Sequence, residues 1–373
     1  MDGYARMALL AGLAFSSCAN AGTVYEGTLG KSAIVAELER GRDGVEGRYF
    51  YRRHRLDIAL EAQPARSGAL EMAENADWHG DEAGRPHWTL REGSDGAYTG
   101  QWRDAKGKTL PIALKPLAVA SLPADADPAL EALRKAEPYD YLRLSGLELV
   151  DDGSEQRGAY RLQWRREPVS GIRLFEVVDG YPGDARERVN RVLHARLWSE
   201  VQAYYECLSG GGEGEYDQTV TVHRIDAKIL SASVFTSYYC GGAHPDFGDS
   251  PLNLDPRTGQ ELRLEQVIST GTPAPSDEHD SAWLDYRSQV WAPWLVAQFQ
   301  RLYPEQMKPS GSDDDCDYAD DQVWSFPSWH ATDQGLYLGA SFYRAARACD
   351  APEWSVLPWS VVRRHRGAVD IAP

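Results

Sequence analysis

The sequence predicts an α+β protein: an N-terminal antiparallel β meander or small barrel, followed by an α/β domain with an antiparallel sheet and two main helices. Three observations carry this. The first third holds short strand-like runs at regular spacing, separated by Gly, Asp and Arg. A proline-flanked stretch then interrupts the pattern. Beyond it, β-branched runs alternate with two long stretches of helical period. At 373 residues the chain exceeds one typical core, so two domains are expected. The expected division is a β-rich domain at 22–117, a linker at 118–140 and an α+β domain at 141–373.

The N-terminal candidate strands are 23–28, 33–38, 47–51, 58–61, 69–72, 88–91, 97–103 and 110–115. Tyr98, Gly100 and Trp102 alternate with Thr99, Gln101 and Arg103, the pattern of a half-buried strand. Such a barrel is expected to be filled by its own side chains, with a ligand-holding mouth as the alternative. Pro123, Pro128 and Pro138 mark the linker, with a short helix near 130–134. Strand-like runs follow at 142–150, 160–164 and 172–178. A helix then opens at Gly183, with Asp184 as cap and Glu187 completing a capping box. Val189, Val192, Leu193, Leu197, Val201 and Tyr204 define its buried face, and Gly210, Gly211 and Gly212 end it.

The stretch 220–267 organises the second half. Val220, Val222 and the run 229–235 read as two strands. Gly241 and Gly242 allow a sharp bend that presents His244. Asp255-Pro256-Arg257-Thr258-Gly259 has turn chemistry and folds the chain into a hairpin. Further on, 269–276 is a loop and 280–303 is helical, kinked or restarted at Pro293. The remainder is strand-like at 323–329, 336–343 and 356–362.

The run Tyr239…Gly241-Gly242-Ala243-His244-Pro245, followed by Asp255…Thr258-Gly259…Leu262…Leu264, resembles the DUF3298-type extracytoplasmic domain. That domain forms the outer part of RsiV, the lysozyme-sensing anti-sigma factor, and accompanies some peptidoglycan deacetylases. The resemblance extends to Tyr181-Pro182…Val189-Asn190 and to Pro352-Glu353…Leu357-Pro358-Trp359, and so covers the C-terminal half. It implies a protein-binding role in the cell envelope, with lysozyme or peptidoglycan-associated partners, and it implies no catalytic role. Neither a sigma-binding part nor a deacetylase domain is present, so signalling and deacetylation do not carry over. The cysteines are not part of the family pattern.

Residues 1–21 read as a secretory signal: Arg6, a short apolar run at 7–15 and a small-x-small site at Ala19-Asn20-Ala21. The alternative is a lipoprotein signal with Cys18 as the lipid-bearing residue. No other stretch is long and apolar enough for a transmembrane helix. Beyond Cys18 four cysteines remain, and an even number in an oxidising compartment suggests two bridges. Three pairings are possible. Cys207–Cys240 and Cys316–Cys349 are preferred, because each joins a helix or loop end to a nearby strand end. A periplasmic or secreted location is expected.

The formal net charge of −17 disfavours nucleic acid and favours cationic partners. Zinc-protease, nucleophile-elbow, Cys-x-x-Cys and complete phosphate-loop signatures are absent. No cofactor or metal site is predicted. The acidic run Asp313-Asp314-Asp315…Asp317…Asp320-Asp321 is not an EF-hand, since Tyr318 and Trp324 replace its glycine and closing glutamate. It is expected to be a solvated loop or a patch for a cationic protein. His244 is read first as a structural ring that hydrogen-bonds backbone and pins the bend, so that His244→Ala is expected to lower stability, with a binding or acid/base residue as the alternative. The expected binding surface is Tyr239, Gly241, Gly242, His244, Pro245 and Asp246, with Asp313, Asp314 and Asp315. The leading expectation is an exported, non-enzymatic binding protein. The alternatives are a hydrolase using His244 with Asp246, and a small-ligand carrier using the N-terminal barrel.

Overall fold

The computed structural model describes residues 22–41, 44–64, 68–75, 84–209, 214–309 and 316–373. The signal-like segment with Cys18, the glycine run 210–212 and the acidic residues Asp313, Asp314 and Asp315 lie outside them.

The first eight strands are β1 (Thr23–Leu29), β2 (Ser32–Arg40), β3 (Val45–Tyr51), β4 (Asp57–Gln63), β5 (Leu70–Asn75), β6 (His87–Glu92), β7 (Tyr98–Arg103) and β8 (Thr109–Pro116). Each pairs antiparallel with the next, and β1 also pairs with β8, so the sheet closes into a barrel. Closure removes the free edges that an open meander would leave. Alternation fills the interior: in β6, Trp88 and Leu90 are buried while His87, Thr89 and Arg91 are exposed. Tyr49, Met72, Trp88, Leu90 and Leu114 pack in one core. The buried Glu74 sits among these rings. Its Oε1 accepts from Tyr49 Oη (2.6 Å), Trp88 Nε1 (2.9 Å) and Trp102 Nε1 (2.8 Å).

The stretch expected as a linker holds α1 (Pro128–Ala136) and α2 (Pro138–Leu144). The strand expected at 142–150 is not there; α2 ends at Leu144 and β9 (Val150–Arg157) begins at Val150. Every residue of α2 from Tyr139 to Leu144 is buried, so it shows no amphipathic stripe and reads as an apolar run of either type. Pro138 at its first turn starts the helix. The helix packs on the outside of the barrel, with Phe50 and Tyr139 rings 5.0 Å apart. Arg143, fully buried, donates to Asp57 Oδ2 (2.6 Å), Asp140 Oδ1 (3.2 Å) and the Arg55 carbonyl (3.0 Å).

Strands β9, β10 (Tyr160–Arg166) and β11 (Arg173–Asp179) form one antiparallel sheet, ordered β11-β10-β9. The long α3 (Gly183–Leu208) buries Val189, Leu193, Leu197 and Val201 as expected, with Tyr205 rather than Tyr204 completing the buried face. Its cap differs from expectation. Pro182 is the N-cap, so Asp184 lies inside the first turn and pairs with Arg188 (3.0 Å). There its charge still favours the amide end of the helix.

A second sheet holds β12 (Glu215–Ile225), β13 (Leu230–Tyr239), β14 (Asp246–Asp249), β15 (Leu252–Asp255) and β16 (Gln260–Glu261). β13 is central: it pairs with β12 on one side and with β14 and β15 on the other. The β15–β16 turn has Gly259 at φ +73, and a Cβ there would lie 2.8 Å from Arg188 Cβ. This ties the hairpin to α3.

After α4 (Leu264–Val267) the 280–303 helix is built in three parts: α5 (Ser281–Tyr286), a π turn (Arg287–Trp291) and α6 (Ala292–Leu302). Pro293 sits in the first turn of α6. It has no N–H to give, and the wider π turn before it accommodates that loss. The expected strand at 323–329 is instead a 3-10 turn (Asp321–Trp324), whose cap Asp320 accepts from the Gln322 amide (2.9 Å). Strand β17 begins only at Ser328, after Pro327, and runs to Ala331 (Ser328–Ala331). It pairs with β18 (Gly335–Gly339), which pairs with β19 (Val356–Pro358). The run expected at 356–362 turns helical at Pro358, which caps α7 (Trp359–Arg364). A second large core gathers Trp291, Phe299, Trp324, Leu336 and Leu357.

Candidate functional site: the bend after β13 and the sheet behind it

Cys207, near the end of α3, is bonded to Cys240, the first residue beyond β13, with Cα atoms 4.5 Å apart. Cys316 is bonded to Cys349, Cα atoms 5.5 Å apart. Both preferred pairings are therefore present. They fit a secreted or extracytoplasmic protein. No helix among the described residues is long and apolar enough to cross a membrane.

Immediately after Cys240 the chain turns through Gly241 (φ +82) and Gly242 (φ +102), a conformation that side chains with a Cβ rarely adopt. Gly241, Gly242, His244 and Pro245 are exposed; Tyr239 and Asp246 are half-buried. The bend is held without His244. Tyr239 Oη donates to the Gly242 carbonyl (2.9 Å), Arg344 donates to the Pro245 carbonyl (3.0 Å), and Arg347 pairs with Asp246. His244 has no hydrogen bond or ion pair among the described residues. The structural reading, in which its ring pins the bend, gains no support. Arg344 and Arg347 lie on a 3-10 segment (Arg344–Cys349) that ends at the second disulfide. Each bridge thus anchors one side of the bend.

Beside the bend, one face of the sheet runs out from under its cover. Register places Thr219, Phe235 and Asp249 side by side, then Asp217, Ser237 and Phe247, then Glu215 and Tyr239. Glu215, Asp217, Thr219, Phe235 and Ser237 are exposed. Neither Glu215 nor Asp217 has an ion-pair partner among the described residues. Phe235 and Phe247 rings lie 5.9 Å apart, and Arg347 stacks over Phe247 at 4.4 Å.

Farther along the same face, β17 and β18 cover the sheet and a polar cluster is buried. Ser233 Oγ lies 3.0 Å from Asp249 Oδ2, 2.9 Å from His223 Nε2 and 3.4 Å from His330 Nδ1. The His223 and His330 rings stack at 3.5 Å, and Tyr337 stacks on the other face of His330 at 4.5 Å. Burial, reinforced by the neighbouring His223, lowers the His330 pKa to about 3, so this ring is neutral. Burial, then the charge of Arg157, lowers His223 as well. Burial raises the Asp249 carboxyl, whose Oδ1 has no partner among the described residues. Serine has one proton. If Oγ gives it to Asp249, both imidazoles must donate to Oγ, which leaves Nδ1 of a neutral His223 as a free acceptor. This is not a nucleophile–base–acid order, because the carboxylate touches the serine and not an imidazole.

The sequence pointed to the bend but not to this cluster. His223, Ser233, Asp249 and His330 come from four strands, and only pairing brings them together. His223, directly after the alternating run Val220-Thr221-Val222, was the one visible signal. Among the described residues no group of His, Cys, Asp and Glu is arranged to hold a metal.

No family model matches the sequence, and no curated protein matches it. Among solved structures, the chain is similar to the crystal structure of a member of the DUF3298 family from Bacteroides fragilis, at 13% identity and a TM-score of 0.36. The match covers 60% of this chain and 94% of that one. A likeness at that score adds nothing to the argument from residues.

Proposed function

We propose that this chain is an exported cell-envelope protein that binds a cationic partner through the bend at 241–245 and the adjoining open face of β12 and β13. The supporting observation is that the bend is fully exposed yet braced from both sides. A segment ordered by a disulfide, an arginine pair and a tyrosine loses little freedom on docking. Glu215 and Asp217 beside it, without ion-pair partners among the described residues, suit a positive partner, and the charge of −17 would steer such a partner inward. Lysozyme is the partner that the residue resemblance suggests, with a peptidoglycan-associated protein next. Periplasmic or secreted delivery follows from the signal-like segment, and acylation at Cys18 is the variant that would anchor the protein. The whole C-terminal stretch 141–373 is read as the binding domain and the barrel as a separate N-terminal one.

The hydrolase reading loses its second residue, because the carboxylate of Asp246 is engaged by Arg347 and faces Arg344. The carrier reading keeps one observation: a cavity of about 710 Å³ at the barrel end near Arg40, Leu70, Leu90, Glu92 and Tyr98. The discriminating experiment is a pull-down with a panel of lysozymes at low and high salt. Retention at low salt that fades at high salt is expected. Absence of retention on every lysozyme at low salt would remove the reading.

A further inference from the structure

The open sheet face beside the bend already holds one arginine. Arg347, on the 3-10 segment, stands over the Phe247 ring, its Cζ 4.4 Å from the ring centroid. At the same time it pairs with Asp246 and donates to Asp350 Oδ2 (3.1 Å) and to the Phe247 carbonyl (2.6 Å). A planar guanidinium suits this double use, since its face stacks on a ring while its rim of N–H groups bonds carboxylates. Arg344 and Arg347 are matched by Asp246 and Asp350, so this side of the face carries no excess positive charge.

The neighbouring Phe235 offers the same parts without a cation. Its ring lies 5.9 Å from that of Phe247, and the residue is 40% exposed. No cation stacks on it among the described residues. Register sets Thr219 across from Phe235 and Asp217 across from Ser237, so Asp217 is the diagonal neighbour of the ring on the same face. Diagonal neighbours of an antiparallel pair lie about 7–8 Å apart, within reach of one long side chain. Asp217 is exposed and has no ion-pair partner among the described residues. Thr219 and Ser237 complete the square, and both are short, so ring and carboxylate are open to the same incoming group.

We infer that Phe235 and Asp217 form a seat for an arginine side chain of the docking partner. Its guanidinium would stack on the ring and bond the carboxylate, as Arg347 does with Phe247 and Asp246. Lysine fits less well, because its ammonium is a strongly hydrated point charge with neither a flat face nor a bidentate edge. The inference rests on the docking-face reading and adds the kind of residue that the partner must offer.

The test is titration of the full chain, at low salt, with two acetylated and amidated peptides of equal charge, tetra-arginine and tetra-lysine. Tetra-arginine is expected to bind roughly two- to fivefold more tightly, the scale of an exposed cation–π contact. Phe235→Leu keeps an apolar side chain and removes the ring. It should bring tetra-arginine down to the tetra-lysine level, with the melting temperature within about a degree of wild type. Asp217→Asn should weaken both peptides, and the arginine peptide more. Equal binding of the two peptides to wild type, or an arginine advantage that survives Phe235→Leu, would overturn the seat and leave a general acidic docking face standing. Binding of neither peptide would overturn the seat as well, and lysozyme retention then decides the docking face separately.

Discussion

His244 stands exposed in the bend that follows Cys240. Its position after two glycines marked it out, and the structure shows that the bend is secured by Tyr239, Arg344 and Arg347 instead. His244→Ala should therefore leave the melting temperature within about a degree of wild type, as expected for an exposed side chain without partners. Its effect should appear only in partner binding. A clear drop in melting temperature, read by calorimetry, would show a structural role that the contacts do not reveal. His194 gives a prediction of a different kind. Its hydrogen bond to Glu176 (3.2 Å) raises its pKa, with Asp127 also contributing, and the same bond lowers that of Glu176. A histidine raised on folding stabilises fully below its unfolded pKa and loses that contribution as pH rises through its folded one. A glutamate lowered on folding stabilises above its unfolded pKa and loses this as pH falls through its folded one. The stability difference between wild type and His194→Gln should thus be largest between about pH 5 and 6.5 and shrink on either side. Denaturant titrations across that range would check it; a flat difference would mean that the pair is not coupled to folding.

At the scale of elements, barrel strands such as β6 and β8 were legible because they bury one face only, so alternation survives in the sequence. The hairpin at 255–259 and the bend at 241–242 were legible because their glycines stand where positive φ is needed. Elements buried on every side were not. Helix α2 looked like a strand because its tyrosines, leucines, Asp140 and Arg143 are all enclosed. The 3-10 turn before β17 and helix α7 looked like strands because aromatic and β-branched residues fill them, while Asp320 and Pro358 decide the backbone. The two bridges were legible from compartment and count, and they carry the clearest element-level prediction. Cys207→Ser with Cys240→Ser opens a loop spanning 33 positions and should lower stability by about 3–4 kcal/mol in the chain-entropy model. Amide hydrogen exchange at Tyr239 and through the bend should quicken at the same time. Unchanged exchange there would mean that the bridge does not order the bend.

At the scale of the whole molecule, a barrel and a layered α+β assembly share a buried, charged seam. Arg143 contributes a guanidinium from α2, and Asp57, at the start of β4, receives it together with the Tyr139 hydroxyl (2.6 Å). Arg143→Ala would leave Asp57 and Asp140 only the longer ion pairings with Arg48 (3.5 and 3.3 Å) and should cost about 3 kcal/mol, measurable by denaturant unfolding. A loss below ~1 kcal/mol would mean that the seam is more hydrated than its burial implies. The Arg143–Asp57 pairing had no signal in the sequence, because 86 positions separate the two residues, whereas Asp140 lies three positions from Arg143 on the same helix. The central claim is that the sheet face beside the braced bend is a docking surface for a positively charged protein. The measurement that tests it most directly is the affinity, at low salt, of a cationic lysozyme for wild type and for the double variant Glu215→Lys, Asp217→Lys. Reversal of both charges should weaken binding by roughly tenfold or more while the fold is kept. Equal affinity for the two proteins, or binding to neither, would contradict the claim.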